Sequence, residues 1–271
     1  MSERALSFGA VAADYERFRP GYPERLVDEV LAYARTRVTT ALEIGAGTGK
    51  ATRVFAARDI AVTATDPDPA MLAELRRHVP ATVETEQTAF EDLPLDRPYD
   101  LVFAAAAMHW TDPEHRWSRV AALLEPGGTF ASFGGQLLLA EPGLEKSVAA
   151  VRARFGIDDA VPSPDWTPHD STMQWPGAEL SQSDLFTAVR QLEIGRRVEM
   201  SASDYLGHLG TISAYLQLPL SVRVQVFDQT RSVLPERVTL NGDLTLHLAR
   251  AAPNAPASAR RVHVRAPAPP S

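Results

Sequence analysis

The chain has 271 residues, a formal charge of −7 and no cysteine. A chain this long buries a substantial core without staples. The acidic balance argues against a general nucleic-acid surface, and the missing cysteine excludes a disulfide framework and a thiolate nucleophile. Met1-Ser2-Glu3-Arg4 has no apolar signal core and no run approaches 18 apolar residues, so neither a membrane span nor export is expected and the cytoplasm is the expected compartment.

Residues 1–22 mix Phe8, Tyr15, Phe18 and Tyr22 with Arg17 and Arg19. Leu26, Val27, Val30 and Leu31 follow Pro23 at helical spacing and predict a helix over 23–35. A strand is expected at 39–45, a helix at 48–58 and a second strand at 60–65. A helix at 68–78 is capped by Asp66 or Asp68, with Pro69 in its first turn. Strands follow at 82–88 and 99–105. Asp112-Pro113-Glu114 opens a helix that ends at Pro126-Gly127-Gly128, and a fifth strand covers 129–134. Alternation of this kind implies an α/β fold, with a mostly parallel sheet covered by helices on both faces.

The alternation lapses after residue 140. A helix at 144–155 precedes a Pro-rich loop at 156–180 carrying Trp166 and Trp175, either a substrate lid or a packed surface loop. A sixth strand is expected at 189–200, helices at 203–217 and 219–234, and a seventh strand at 238–248. The sixth and seventh strands should pair antiparallel at one edge. Residues 1–250 thus form one domain with lid segments at about 1–25 and 140–235. The Ala/Pro/Arg/Ser tail 251–271 is too poor in apolar residues to be ordered.

The chemistry concentrates in Leu42-Glu43-Ile44-Gly45-Ala46-Gly47-Thr48-Gly49, where an apolar strand runs into three alternate glycines. Such a turn permits positive φ and close backbone approach to a ligand, below the N-terminus of a helix. Asp66 ends the next apolar run and can accept both hydroxyls of a ribose. A dinucleotide fingerprint would be G-x-G-x-x-G. Here the third glycine comes one residue early, and Lys50 stands where that fingerprint needs glycine. Glu43 suits a cationic amino group and is a poor neighbour for pyrophosphate. The pattern therefore points to S-adenosyl-L-methionine (SAM).

Glu43-x-Gly45-x-Gly47-x-Gly49, Asp66 and Pro126-Gly127-Gly128, in this order of elements, resemble a class I SAM-dependent methyltransferase. Phe8-x-x-x-Ala12-x-x-Tyr15-x-x-x-Arg19-Pro20-x-Tyr22-Pro23, His109-Trp110 and Thr211-x-Ser213-x-Tyr215 resemble the small-molecule methyltransferases related to trans-aconitate methyltransferase. The resemblance spans about 8–248. It implies a Rossmann-like seven-stranded sheet with an antiparallel edge strand and a helical lid insert. It also implies a small-molecule acceptor and no nucleic-acid or membrane partner. The acceptor atom is expected to be a carboxylate or hydroxyl oxygen. C- or N-methylation, or a SAM-binding cyclase or other non-methylating protein on the same frame, stays open, as does the oligomeric state.

On this resemblance the cofactor would meet Glu43, the turn Gly45, Ala46, Gly47, Thr48 and Gly49, and Asp66 at the ribose. Pro67 and Met71 would lie along adenine, with Phe90 on its other side. Ala89 stands where many relatives carry Asp, so Glu91 or a backbone carbonyl would serve the adenine amino group. Ala104 to Ala107 leave room for the methionine end, with the Ala104 or Ala105 carbonyl as acceptor. Tyr15 would lie beside the sulfonium, and Arg19 would pair with a carboxylate of SAM or of the acceptor. His109 is the candidate general base, or else a packed histidine. Tyr22, Trp110, Thr211, Ser213 and Tyr215 are the candidate acceptor contacts.

Overall fold

A computed structural model describes residues 8–158, 164–165, 167 and 171–253. The expected tail beyond Pro253, and Pro162, Trp166 and Pro168 of the Pro-rich loop, lie outside the described residues. Two helices, α1 (Ala12–Phe18) and α2 (Glu24–Tyr33), lead into the alternating segment. It comprises β1 (Thr40–Ile44), α3 (Thr52–Ala56), β2 (Ala61–Asp66), α4 (Pro69–Leu75), β3 (Glu84–Gln87), β4 (Tyr99–Ala105), α5 (Arg116–Ala122) and β5 (Leu124–Gly134). Then come β6 (Leu138–Leu139), α6 (Pro142–Arg154), α7 (Gly177–Gln182), β7 (Phe186–Ile194), β8 (Arg197–Ser201), α8 (Ala202–Leu209), α9 (Ser213–Leu216), α10 (Leu220–Val233), β9 (Arg237–Asn241) and β10 (Leu244–Ala251).

The main sheet has seven strands in the order β3-β2-β1-β4-β5-β10-β7. β1 pairs parallel with β2 and β4, and β10 is antiparallel to both of its neighbours. Period-2 alternation sorts the strands onto two cores. Ala41, Leu101 and Phe103 pack with α2 and α3 on one face, where Phe55 stacks on Phe103 at 4.2 Å. Leu42, Ile44, Val102 and Ala104 pack with Val120 of α5 and Leu180 of α7 on the other. The Rossmann-like sheet, the helices on both faces and the antiparallel strand are all present as the sequence implies.

Several boundaries differ, each for a local reason. The helix expected from 48 begins at Thr52, because the glycine run holds left-handed φ as far as Gly49 (+83°). Asp68 is the cap of α4, its side chain accepting from the Ala70 N–H at 2.8 Å. Helix α5 stops at Ala122, and Pro126-Gly127-Gly128 lies inside β5. A register shift against β4 absorbs it, and Gly127 has φ +77°. Gly210 separates α8 from α9 where one helix was expected.

The largest difference lies in the last two expected strands. Each divides in two. β8, β9 and β6 form a second, three-stranded sheet. β7–β10 and β8–β9 are halves of one antiparallel ribbon, and it is broken at Gly195-Arg196 and Gly242-Asp243. The break is cross-tied: the Gly242 N–H donates to the Arg196 carbonyl at 2.8 Å, and the Arg196 N–H to Asp243 Oδ1 at 2.8 Å. β10 also runs on to Ala251, into the stretch expected as tail. Because β10 is antiparallel to both β5 and β7, β7 points the same way as the parallel strands. The ribbon therefore continues past the carboxyl edge of the main sheet. There it carries α8, α9 and α10, which with α6 enclose a separate core of Val148, Tyr205, Leu209, Tyr215, Val226 and Leu240. These helices fall within the 140–235 stretch expected as a lid and are called the lid below, but Trp175, Leu180 and Phe186 of the same stretch pack in the second core of the main sheet.

Candidate functional site

Ligands on such sheets bind beyond the carboxyl ends of the strands, at the switch of strand order, here between β1 and β4. Glu43 stands next to the last residue of β1 at that edge. It is fully buried; Thr52 Oγ1 donates to its Oε2 at 2.5 Å, and Oε1 has no hydrogen-bond partner among the described residues. Burial pushes its pKa up to about 8, with the charge of Asp66 adding to the shift.

Beyond Glu43 the backbone turns through Gly45 (φ +66°), Gly47 (φ +56°) and Gly49. A Cβ on Gly45 would sit 2.6 Å from the Ala107 methyl, so the loops after β1 and β4 touch only because this residue is glycine. A Cβ on Gly47 would meet nothing within 4 Å. The turn is thus closed below and open above. Ala46 and Thr48 are buried within it. Asp66, at the end of β2, accepts from the Gly47 N–H and the Asp68 N–H, both at 2.9 Å. Each of its oxygens keeps a lone pair. Burial raises its pKa against those two bonds.

On the side of β2 and β3, Met71 is buried in α4 and Pro67 is partly exposed beside Asp66. The Phe90 ring is buried in the second core with the Arg119 guanidinium over it, and Arg119 Nε donates to the Phe90 carbonyl at 3.1 Å. Glu91 accepts the Asp112 N–H at 2.8 Å. A cavity lined by Phe90, Glu91, Asp112, His115, Ser118 and Arg119 adjoins this turn, and no residue of the glycine turn lines it. At the end of β4, Ala105 is partly exposed, and Ala106 holds a left-handed φ of +54° while its N–H donates to the Phe133 carbonyl at 2.8 Å. A non-glycine residue in that region is an uncommon and costly conformation.

The N-terminal segment closes over the turn through a residue that sequence reasoning missed. Glu16 of α1 accepts from Thr48 Oγ1 (2.7 Å) and Arg53 (2.7 Å), and lies 3.4 Å from Lys50 Nζ. Lys50 also donates to the Glu16 carbonyl at 2.6 Å. Burial opposes ionisation of Glu16, but these partners hold its pKa below the ordinary value. Burial likewise lowers the pKa of Lys50. The one sequence signal was Lys50 itself: a lysine following a buried turn needs an acidic partner.

The same helix brings the aromatic candidates together. The Tyr15 ring lies edge-on to Phe8 (6.1 Å), Phe8 to Trp110 (6.2 Å), and His109 packs on Trp110 at 4.6 Å. Tyr22 packs edge-on against Phe133 at 5.0 Å, and burial raises its pKa, with Tyr15 and Glu43 contributing. Arg19 lies over Tyr15 and donates from Nε to Thr211 Oγ1 at 2.9 Å and from a terminal nitrogen to the Thr211 carbonyl at 3.1 Å. Thr211 is wholly buried, and its hydroxyl donates to the His208 carbonyl at 2.7 Å. It therefore fastens Arg19 to the lid. Thr211, Ser213 and Tyr215 do not form one face. Thr211 precedes α9, Ser213 opens it, and Tyr215 is buried in the lid core against Phe227.

The donor set fits the implied cofactor. A buried carboxyl with an oxygen unpartnered among the described residues stands two positions before an open glycine turn, and a second carboxylate stands at the end of the neighbouring strand. Among the described residues no group of His, Cys, Asp and Glu is arranged to hold a metal, and no helix is long and apolar enough to cross a membrane.

Residues 41–128 match the family model described as a methyltransferase domain. An uncharacterized methyltransferase of Mycobacterium tuberculosis is 45% identical over 127 residues, which is 46% of this chain and 51% of that protein. A trans-aconitate 2-methyltransferase of Methylobacterium nodulans is 33% identical over 124 residues, 44% of this chain and 47% of that protein. The chain thus spans about half the length of the curated relatives it matches. Over nearly the whole fold, a proposed type II methyltransferase from Anaeromyxobacter dehalogenans superposes with a TM-score of 0.60 at 25% identity, covering 87% of this chain and 99% of that one.

Proposed function

We propose that this chain, which carries a methyltransferase domain over residues 41–128, binds SAM and transfers its methyl group to an oxygen of a small-molecule acceptor. The observation that carries this reading is Glu43. It is a buried carboxyl with a free oxygen at the foot of an open glycine turn, complementary to a cationic amino group. Asp66 takes the ribose hydroxyls, Pro67, Met71, Phe90 and Glu91 surround adenine, and the carbonyl of Ala105 faces the methionine end. Tyr15 borders the sulfonium, and Arg19 attracts carboxylate.

When bound, SAM supplies a methyl group already activated by a positive sulfur. The protein then has to align the acceptor and exclude water, which contributes up to roughly 7–11 kcal/mol in favourable cases. The strap of Phe8, Tyr15 and Arg19 and the lid of α8–α10 serve that exclusion. A carboxylate acceptor is ionised at neutral pH and needs no base. The name of the Methylobacterium relative favours an acid of this kind, and Arg19 at the seam of strap and lid suits one.

Calorimetry with S-adenosylhomocysteine (SAH), and transfer of label from methyl-labelled SAM to trans-aconitate and other small carboxylic and hydroxy acids, test this. Binding and transfer are expected. Asp66→Ala should weaken SAH by about 1–3 kcal/mol through lost charged hydrogen bonds. Unchanged affinity in a folded Asp66→Ala protein removes the ribose assignment. Binding of NADH without SAH overturns the whole reading.

A further inference from the structure

We propose that His208 binds the methyl acceptor, fixing an anionic oxygen group of it together with Arg19; this rests on the methyl-transfer reading above. His208 lies on α8 where the lid meets the N-terminal strap. The seam is tight: a Cβ on the neighbouring Gly207 would come within 2.6 Å of the Phe18 ring. One turn further on, Thr211 takes two hydrogen bonds from Arg19. Between them the His208 imidazole is only 2% exposed, and its Nδ1 has no hydrogen-bond partner among the described residues.

A buried nitrogen left unpaired is costly, and native proteins keep few of them. Sealing the seam does not require it, because an apolar side chain would fill the same space. The second unpartnered atom at the carboxyl edge is Glu43 Oε1, on the sheet side. Tyr22 senses the charges of both Glu43 and Arg19. Glu43 is assigned above to the cofactor, whereas His208, which senses the charge of Arg19 in the strap, has no assigned partner.

The sign of charge follows from the neighbourhood. Burial and then Arg19 hold the imidazole neutral, its pKa lowered to about 3. A neutral ring with its proton on Nδ1 offers that N–H as a donor, while Arg19 supplies the positive charge. An acceptor carrying a carboxylate receives a hydrogen bond from one and charge from the other. A cationic acceptor would face Arg19 with no compensation.

The test uses the full chain loaded with SAH and titrated with trans-aconitate, and separately with its trimethyl ester as a neutral probe. Wild type is expected to bind the acid and not the ester. His208→Leu keeps the volume and should weaken the acid about tenfold or more, the worth of a charge-assisted hydrogen bond, with SAH affinity unchanged. His208→Asn, whose amide falls near the place of Nδ1, should retain most of the acid affinity. Should the leucine variant not fold, His208→Gln replaces it, because its amide falls near Nε2 and misses Nδ1. Acid binding unaltered in the leucine or glutamine variant overturns the proposal. So does equal loss of SAH, equal binding of the ester, or a wild type that binds no acid. In each case SAH binding and methyl transfer to another acceptor would leave the wider reading standing.

Discussion

On the proposed reading, Glu43 couples ligand binding to pH. Its carboxyl ionises near 4.5 when exposed and near 8 in the folded chain, so the ligand-free fold holds a proton there that the unfolded chain has released. Stability of the ligand-free protein is therefore lost as pH rises from about 4.5 to about 8. A cationic ligand group reverses the preference by favouring the ionised carboxylate. Scanning calorimetry should show a melting temperature falling between pH 5 and 8 in wild type and falling less in Glu43→Gln, which should also bind SAH more weakly. Parallel slopes in the two proteins would remove Glu43 from the pH response. His109 gives a second test. With a carboxylate acceptor, His109→Gln should cost less than about tenfold in kcat, whereas a base acting on a hydroxyl is worth roughly 10²–10⁴. A pH–rate profile of both proteins decides, and a deep loss with the acid limb abolished would make the histidine catalytic. Residues of this kind were legible because their signal is local: Glu43, the three glycines and Asp66 lie within 24 positions of one another. Arg19 and Thr211 are 192 positions apart, and no spacing rule joins them. Thr211 was visible as a residue, but its part in fastening Arg19 was not.

At the scale of elements, α1 is held to the glycine turn by Glu16 and to the lid by Arg19. Isolated surface ion pairs contribute little. Here, though, Lys50 is largely buried and would lose its acid partner. Glu16→Gln should therefore leave the fold intact but loosen the strap. Expected outcomes are faster proteolysis near residues 12–23 and a faster dissociation of SAH in stopped-flow measurements. Dissociation at the wild-type rate would show that α1 does not retain the cofactor. Strands and helices of the alternating half were readable because each has one buried face and a clear period. The last two strands were not. Val189 to Met200 and Val238 to Leu248 keep their apolar pattern across the break, since both halves of the ribbon are buried on one side, by two different cores. Only the glycines at 195 and 242 marked the division.

For the whole molecule, the division into a parallel sheet and a lid assigns different work to each. The sheet and its glycine turn carry the features that match the methyltransferase domain, all before residue 129. On the proposed reading, the walls on the acceptor side come from the strap and from residues after 195. Arg196 also ties the neck of the lid back to the strap by donating to the Gly21 carbonyl at 2.5 Å. The cross-tied break has a topological meaning. Arg196 and Gly242 are hydrogen-bonded neighbours, so 45 residues leave and re-enter the main fold through a single gap one peptide wide. The segment can change without reopening the seven-stranded sheet, provided it keeps two partners from outside it: β6, which pairs with β9, and α6, whose Val148 lies in the lid core. On the reading proposed above, acceptor choice can then change with that segment while the cofactor half stays fixed.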